Sequence, residues 1–171
     1  MIEELTEGSF DAAADGLAAV LHACVLDGAS VGFLLPFDLA AARGFWDGQR
    51  AAVRAGDKRI LVARDGDRIL GTTTVILGMP PNGRQRGEIA KVLVHPDARR
   101  RGLARLLMEA AEALARREGK RTLVLDTAGE AAHRLYLALG WQVGGIIPAY
   151  ALNTAGVPER TIFMFKELAD A

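Results

Sequence analysis

Apolar residues recur at helical spacing in four stretches of this sequence. Residues 11–27 are rich in alanine and leucine, with an apolar position every three to four residues, and predict a first helix. Asp38 is a suitable N-cap for a second helix that runs to about Ala55. The other two predicted helices begin at Leu103 and Ala131 and end at Gly119 and just before Gly140.

Short apolar and β-branched runs between these helices predict strands. Two such runs flank an Asp-Gly pair at Asp65 and Gly66, which is the strongest short-range signal of a β-hairpin. The other predicted strands cover residues 2–5, 88–94, 121–127, 141–146 and 161–168. The order β, α, α, β-hairpin, β, α, β, α, β, β contains no repeat or low-complexity linker, so residues 1–171 are expected to form one mixed α/β domain.

Composition and charge limit the classes of function. Half of the 171 residues are apolar, which suffices for a core without a metal or a disulfide, and Cys24 is the one cysteine. Lys plus Arg equals Asp plus Glu at 21 each, so we expect no nucleic-acid partner. The three histidines lack metal-ligand spacing, and no metal is expected. The N-terminus is acidic, and no stretch of the sequence has about 18 consecutive apolar residues. Both observations favour a cytoplasmic protein with no membrane partner.

Four arginines lie within seven positions of this uncharged chain: Arg99, Arg100, Arg101 and Arg105. They stand between the predicted strand 88–94 and the helix that follows. The first turn of a helix has unpaired N–H groups and the positive end of the dipole, which suits a phosphate. Gly102 and Ala104 would leave those amides accessible. The alternative is a solvated basic helix end, and the Walker and G-x-G-x-x-G patterns are absent.

The His95-Pro96 step followed by R-x-x-G-x-A resembles the acyl-CoA pyrophosphate loop of the GNAT superfamily of N-acetyltransferases, whose signature is [RQ]-x-x-G-x-[GA]. The resemblance implies the GNAT fold: a mixed, mostly antiparallel sheet of about six to seven strands, a splayed central parallel pair and about four helices. It implies acetyl-CoA as co-substrate, with the Val94 amide polarising the thioester. The implied cofactor-binding residues are Val92, Leu93, Val94, Arg99, Arg100, Arg101, Gly102 and Ala104.

A narrower resemblance is to the tabtoxin-resistance type of GNAT protein, which acetylates an amino group of a β-lactam amino acid. The stretches that carry it are GASVGF at 28–33, PNG at 81–83, the E-x-x-K pair Glu88 and Lys91, LDT at 125–127, and the tail from Gly145 through Pro148, Ala149 and Tyr150. The resemblance implies a small amine as the acceptor. Members of the superfamily often dimerise through their C-terminal strands, and TIFMF is apolar enough for a homodimer contact or a buried strand.

Three residues are candidates for catalysis. Glu88 begins one apolar strand, and Asp126 nearly ends the next. Two interpretations of these carboxylates are open. They accept the proton of an acceptor amine or hold its ammonium group, or they are solvated residues at strand ends. The tabtoxin-resistance resemblance favours both as catalytic. Tyr136 matches the family tyrosine that protonates the CoA thiolate, or else packs its helix on the sheet. Many relatives have an asparagine where this chain has Gly129, so that cofactor contact is not expected.

Lys91 and a group of aromatic residues are candidates for the acceptor pocket. Three roles are open for Lys91: contact with a substrate carboxylate, pairing with Glu88, or extension to an edge of the sheet. Phe33 is a candidate substrate-binding residue, although core packing is the favoured role of the aromatic group: Phe33, Phe37, Phe45 and Trp46.

The expected function is transfer of acetyl from acetyl-CoA to a small amino-acid-like amine by direct attack in a ternary complex, with Cys24 in the core and not a nucleophile. The alternatives are a protein or peptide amine acetyltransferase and a non-catalytic acyl-CoA-binding sensor.

Overall fold

The fold is built on one seven-stranded sheet with helices on both faces. The computed structural model describes residues 1–168. The strands are β1 (Ile2–Glu4), β2 (Lys58–Asp65), β3 (Arg68–Ile76), β4 (Arg86–Val94), β5 (Thr122–Thr127), β6 (Gln142–Leu152) and β7 (Pro158–Glu167). The helices are α1 (Glu7–Leu26), α2 (Leu39–Asp47), α3 (Arg50–Arg54), α4 (Leu103–Arg117) and α5 (Glu130–Ala138).

The strands lie in the order β1-β2-β3-β4-β5-β7-β6. Only the central pair, β4 and β5, is parallel, and its pairing covers Arg86 with Thr122 through Glu88 with Val124. The other neighbours in the sheet are antiparallel. The predicted fold class is therefore confirmed, including the parallel pair that separates beyond its first residues.

Two apolar cores lie on opposite faces of the sheet. On one face α1 and α2 pack over β2, β3 and β4, where the fully buried Trp46 donates its indole N–H to the Leu17 carbonyl at 3.0 Å. On the other face α4 and α5 pack over the sheet, with Leu107 and Met108 buried against Ile162 and neighbouring strand residues. The sheet therefore carries a layer of helices on each side.

Helix α1 is, within residues 1–168, the one helix long and apolar enough to cross a membrane. Half of its most apolar 18-residue window is buried inside the protein. Phe10, Leu17 and Leu21 belong to the core that this helix forms with the sheet. A core helix has the same composition as a membrane span, so the predicted absence of a membrane partner stays a prediction.

Helix α1 begins at Glu7, four residues before the predicted start. Thr6 caps it: the Thr6 hydroxyl accepts the Ser9 N–H, and the Ser9 hydroxyl accepts the Thr6 N–H. This reciprocal arrangement is a capping box with serine in place of the usual glutamate or glutamine. Gly8 in the first turn lowers helix propensity and obscured the boundary in the sequence.

The predicted second helix is interrupted, and α2 and α3 divide it at Gly48 and Gln49. The Gln49 side-chain amide donates to the Phe45 carbonyl at 3.0 Å, while the Gln49 N–H donates to the Trp46 carbonyl at 2.9 Å. The side chain thus takes the acceptor that a continuous α-helix would give to the Gln49 backbone, and Gly48 weakens the helix at the same point.

The hairpin and the C-terminal strands also differ from their predicted bounds. The turn between β2 and β3 is Gly66-Asp67, one residue later than the Asp65-Gly66 pair. Strand β6 extends well beyond residue 146 and passes through Pro148, with a register shift between Ile147 and Ala151. Because β6 is at the edge of the sheet, a residue without an N–H is tolerated there.

A buried carboxylate joins α4 to the C-terminal strands. Glu112 is 5 % exposed and accepts the Trp141 indole N–H at 2.9 Å and the Lys166 ammonium at 2.6 Å. Lys166 also donates to the Leu139 carbonyl at 2.6 Å, at the end of α5. One side chain therefore connects two helices and the sheet, and its removal leaves the Trp141 indole N–H without an acceptor and the Lys166 ammonium without its counter-charge.

We expect Glu112→Ala to lower the free energy of unfolding by about 3–5 kcal/mol, the usual cost of removing one partner of a buried ion pair. Urea denaturation monitored by tryptophan fluorescence measures this loss. The matched control is Glu109→Ala on the same helix, where the carboxylate is half exposed and 3.7 Å from Arg105, and a change within about 0.5 kcal/mol is expected. Equal losses in the two variants would contradict a special role for Glu112.

Candidate active site

A bulge in β4 opens a gap at the centre of the sheet. Thr72 pairs with Leu93 and Thr74 with Ala90, so Lys91 and Val92 together oppose one residue of β3. Lys91 has a φ of 54°, which is unusual for a residue with a side chain. Since β4 pairs with β5 only as far as Glu88, the two strands lie apart beyond that residue.

The bulge also changes which face each β4 side chain occupies. Ile89 packs in the core beneath α4, whereas Leu93 packs in the core beneath α1. Residues four apart on a regular strand would share a face, so the extra residue inverts the alternation. Glu88 and Lys91 consequently line the same cavity, although their spacing of three would separate them on a regular strand.

The backbone of Val94 faces the gap. The His95 N–H donates to the Leu70 carbonyl at 2.8 Å, and the preceding residue, Val94, lies opposite Gly71. Hydrogen-bonded and non-hydrogen-bonded pairs alternate in an antiparallel ladder, so the N–H and C=O of Val94 point away from β3. The carbonyl accepts the Cys24 thiol at 3.3 Å. The amide points to where pantetheine is predicted to lie.

The arginine-rich loop leads directly into the N-terminus of α4. Gly102 is the N-cap, with a φ of 77° and no side-chain hydrogen bond to the first turn. Arg100 also lies in the left-handed region, with a φ of 63°, a strained conformation often found at binding sites. No acidic residue occupies the first turn, so its amides and the dipole offer positive charge to an anion.

Two of the loop arginines pair with carboxylates from other elements. Arg99 donates to Asp27, at the end of α1, at 2.5 Å. Arg101 lies 3.7 Å from Asp65 of the hairpin. These pairs fix the loop between two parts of the fold and reduce the positive charge of its side chains. The backbone amides of the loop and Arg100, which forms no such pair within residues 1–168, add to its anion-binding character.

Four cavities follow one another along the gap and share lining residues. The loop cavity, beside Arg99 and Ala104, has a volume of about 220 Å³. It shares Val94 with the groove cavity of about 230 Å³, which in turn shares Tyr136 with the junction cavity of about 170 Å³. The junction cavity shares Asp126 with the far cavity of about 290 Å³. An extended ligand can therefore run from the arginine-rich loop to the far cavity.

Glu88 and Asp126 meet in the far cavity. Glu88 pairs with Val124, and Asp126 follows two residues later, so the two carboxylates lie on the same face of the sheet. Burial raises the pKa of Glu88, and the negative charge of Asp126 raises it further. The Thr161 hydroxyl donates to Asp126 Oδ2 at 2.8 Å. A carboxyl group with a raised pKa beside a second carboxylate is suited to accepting a proton.

Tyr136 lies where the groove and junction cavities meet. Its side chain is 5 % exposed, and its ring centroid is 6.1 Å from that of Trp141. Burial, and to a lesser extent Asp126, raises the pKa of the phenol above its ordinary value. The hydroxyl is therefore protonated at neutral pH, and the raised pKa also makes it a weaker acid than an exposed phenol. The ring packs α5 on the sheet as well, so the two roles considered for Tyr136 are compatible.

Lys91 lies beside two aromatic residues, Phe33 of the loop before α2 and Phe45 of α2 itself. Its ammonium is 5.2 Å from the ring centroid of Phe45 and 5.9 Å from that of Phe33. Burial lowers the pKa of Lys91, and Lys58 lowers it further. Phe37 and Trp46 are buried in the core, as the favoured role of this group predicts. Phe33 and Phe45 are half-buried beside Lys91, and the substrate-binding role of Phe33 stays a prediction.

The far cavity includes residues that the sequence analysis did not assign to the site. Tyr150 of β6 and three consecutive residues of β7, Glu159, Arg160 and Thr161, line it. They reach the site because β7 pairs with β5, although α5 and β6 lie between those strands in the sequence. Cys24 is buried, as expected of a core residue, and also lines the groove cavity, where burial raises the pKa of its thiol. Within residues 1–168, no three His, Cys, Asp or Glu side chains are arranged to hold a metal ion.

Solved structures of acetyltransferases share this fold. An N-acetyltransferase from Staphylococcus aureus Mu50 has 19 % identity and a TM-score of 0.79, with 99 % of this chain and 98 % of that chain covered. A ribosomal-protein-alanine N-acetyltransferase from Brucella melitensis has 23 % identity and a TM-score of 0.78, with 98 % and 99 % covered. A phosphinothricin acetyltransferase from Sinorhizobium meliloti, in complex with acetyl-CoA, has 18 % identity and a TM-score of 0.78, with 100 % and 89 % covered.

A model of the acetyltransferase (GNAT) family matches residues 24–141, which is more than half of the chain. The matched region contains the bulged strand β4, the arginine-rich loop, α4, β5 and α5. With this match, the chain belongs to the acetyltransferase (GNAT) family of enzymes.

Proposed function

We propose that this enzyme transfers the acetyl group of acetyl-CoA to the amino group of a small acceptor that also carries a carboxylate. The observation that carries the proposal is the far cavity, in which Glu88 and Asp126 share the lining with Lys91 and Arg160. This cavity is continuous with the gap between β4 and β5 through the junction cavity. An amine and a thioester brought together at that junction are in position to react.

The described residues fit acetyl-CoA in three places. The loop cavity supplies the first-turn amides of α4 for the pyrophosphate, and Arg99, Arg100, Gly102 and Ala104 line it. Arg101 lies beside Asp65 and does not line this cavity, so its contact with the cofactor stays a prediction. Val92, Leu93 and Val94 line the groove cavity, where an amide-bearing pantetheine arm would lie. Acetyl-CoA supplies the activated acetyl thioester. The Val94 N–H, which faces the gap, is the donor for the thioester carbonyl oxygen.

Proton transfer is assigned to Glu88 and Tyr136, at the two sides of the junction. Most of an acceptor amine with a pKa near 10 is protonated at neutral pH, so Glu88 removes a proton directly or through water, and Asp126 holds the ammonium before transfer. Tyr136 donates its hydroxyl proton to the departing thiolate. The amine attacks the thioester directly in a ternary complex, and Cys24 takes no part because burial keeps its thiol protonated.

The proposed acceptor class is an amino acid because the far cavity offers charges of both signs. Glu88 and Asp126 suit the ammonium group, whereas the ammonium of Lys91 suits a carboxylate. A β-lactam amino acid of the tabtoxinine type belongs to this class, which agrees with the resemblance of the sequence to the tabtoxin-resistance type. A homodimer through the C-terminal strands stays a prediction.

We expect Glu88→Gln to lower kcat by about 10²-fold or more while leaving the affinity for acetyl-CoA unchanged, because the amide cannot accept the proton. Release of CoA measures kcat, and calorimetry with acetyl-CoA measures binding. In the wild type, kcat/KM falls as the pH is lowered through the pKa of Glu88. Because burial and Asp126 raise that pKa, the fall begins at a higher pH than for an exposed glutamate.

The matched control for this variant is Glu109→Gln, on the exposed side of α4, which should keep the wild-type rate and pH profile. In Glu88→Gln the acidic limb of the profile should disappear. If the variant loses acetyl-CoA binding and keeps its turnover, or keeps the acidic limb, Glu88 is not the base.

A second expectation concerns the acceptor. Release of CoA should be faster with tabtoxinine-β-lactam and free amino acids than with polyamines or a lysine peptide blocked at both ends, because only the first group offers a free carboxylate to Lys91. Lys91→Gln should raise KM for an amino acid by about tenfold, the value of one hydrogen bond to a charged group. It should leave KM unchanged for the corresponding amine that lacks the carboxylate.

The control for Lys91→Gln is Arg134→Gln, a change at an exposed cation of α5 that is 3.4 Å from Glu130 and outside the far cavity. Fastest turnover with the lysine peptide would favour a protein acetyltransferase instead. Binding of acetyl-CoA with no release of CoA from any acceptor would favour an acyl-CoA sensor.

A further inference from the structure

A buried threonine lies directly behind the carboxylate of Asp126. Thr161 of β7 is 3 % exposed, and its hydroxyl donates to Asp126 Oδ2 at 2.8 Å. Asp126 itself is exposed in the far cavity. An exposed aspartate adopts several rotamers, so a hydrogen bond from a fixed, buried donor selects one of them.

The register of the sheet makes this contact specific. Asp126 lies opposite Phe163 on β7, and Thr161 is two residues before Phe163, so both side chains reach the same face. The apolar residue Ile162 follows, buried on the opposite face beneath α4 and α5. The hydroxyl at position 161 thus reaches Asp126 Oδ2 from the neighbouring strand, and valine would fill the same space without the donor.

We propose that Thr161 is a positioning residue for acetyl transfer: it fixes the Asp126 carboxylate through Oδ2, so that Oδ1 is directed to the acceptor amine and the negative charge is held beside Glu88. The inference rests on the proposed function, because it assigns Thr161 a part in the same site. Thr161 does not touch the reacting atoms and acts through Asp126.

The fixed charge of Asp126 has a consequence for Glu88. The charged groups that face Glu88 are Lys58 from β2, Arg86 and Lys91 from β4, and Asp126 from β5, with Glu159 and Arg160 of β7 in the same cavity. Asp126 raises the pKa of Glu88, whereas the three cations from β2 and β4 lower it. If Asp126 rotates away, its contribution is lost, and the pKa of Glu88 falls toward the value that burial and the cations alone would give.

The test compares Thr161→Val, which removes only the hydroxyl, with Thr161→Ser, which keeps it. We expect the valine variant to lose about tenfold or more in kcat/KM for the acceptor, with an unchanged KM for acetyl-CoA. The serine variant should stay within about threefold of the wild type. In an Asp126→Asn background, Thr161→Val should cause no further loss, because Thr161 acts through the negative charge of Asp126 and asparagine has no such charge.

A readout that needs no substrate separates this inference from the proposed function. In the free protein, carbon-13 NMR of the glutamate carboxyl groups, assigned with Glu88→Gln, follows the titration of Glu88. Thr161→Val should lower the titration midpoint. Thr72→Val is the matched control: Thr72 is also buried and donates to the Leu61 carbonyl at 3.0 Å, and its loss should leave the Glu88 titration unchanged.

If Thr161→Val and wild type have the same Glu88 midpoint, or if the effects of Thr161→Val and Asp126→Asn on kcat/KM simply add, Thr161 is structural and the inference is wrong. If no acceptor is acetylated but the midpoint shifts as expected, the proposed function fails and the positioning of Asp126 by Thr161 stands.

Discussion

The whole site depends on the separation of β4 and β5 beyond Glu88. A regular parallel pair would continue hydrogen bonding and close the centre of the sheet, and the bulge at Lys91 and Val92 prevents this. The bulge leaves backbone groups of β4 without a partner strand, which costs stability unless other donors or a ligand satisfy them. Cys24 satisfies one of them, the Val94 carbonyl, from α1. The Val94 amide on the same side of the strand is the natural contact for an amide-bearing ligand.

Three groups of functional residues follow one another along the gap beside β4. At its outer end the first turn of α4 offers amides to an anion, with Gly102 as a cap that leaves them open. In the middle, Tyr136 provides a buried phenol held in its protonated form. At the far end are the carboxylates and cations that suit an amino acid. The chain has no net charge, so the electrostatic potential at each of these places is local. A few residues from different elements create it.

The sequence was sufficient for the features that depend on local pattern. Helical periodicity, the glycines that end helices and the R-x-x-G-x-A loop predicted the element order, the fold class and the loop at α4. The sequence did not predict the contacts between distant parts of the chain. The pairing of β5 with β7, which brings Thr161 to Asp126 and Arg160 to the far cavity, joins strands that are not consecutive. The bulge likewise puts Glu88 and Lys91 in one cavity, whereas their spacing on a regular strand predicts opposite faces. Two helix boundaries depend on side-chain hydrogen bonds that helix propensity does not predict. One is the bond from the Gln49 side chain to the Phe45 carbonyl, and the other is the capping box of Thr6 and Ser9.

The most direct test of this account is a crystal structure of the enzyme with CoA and an amino acid acceptor. The account predicts the pyrophosphate at the N-terminus of α4, pantetheine between β4 and β5 with its sulfur beside Tyr136, and the acceptor amine between Glu88 and Asp126. Strands β4 and β5 paired continuously beyond Glu88, or CoA bound outside the gap, would contradict it.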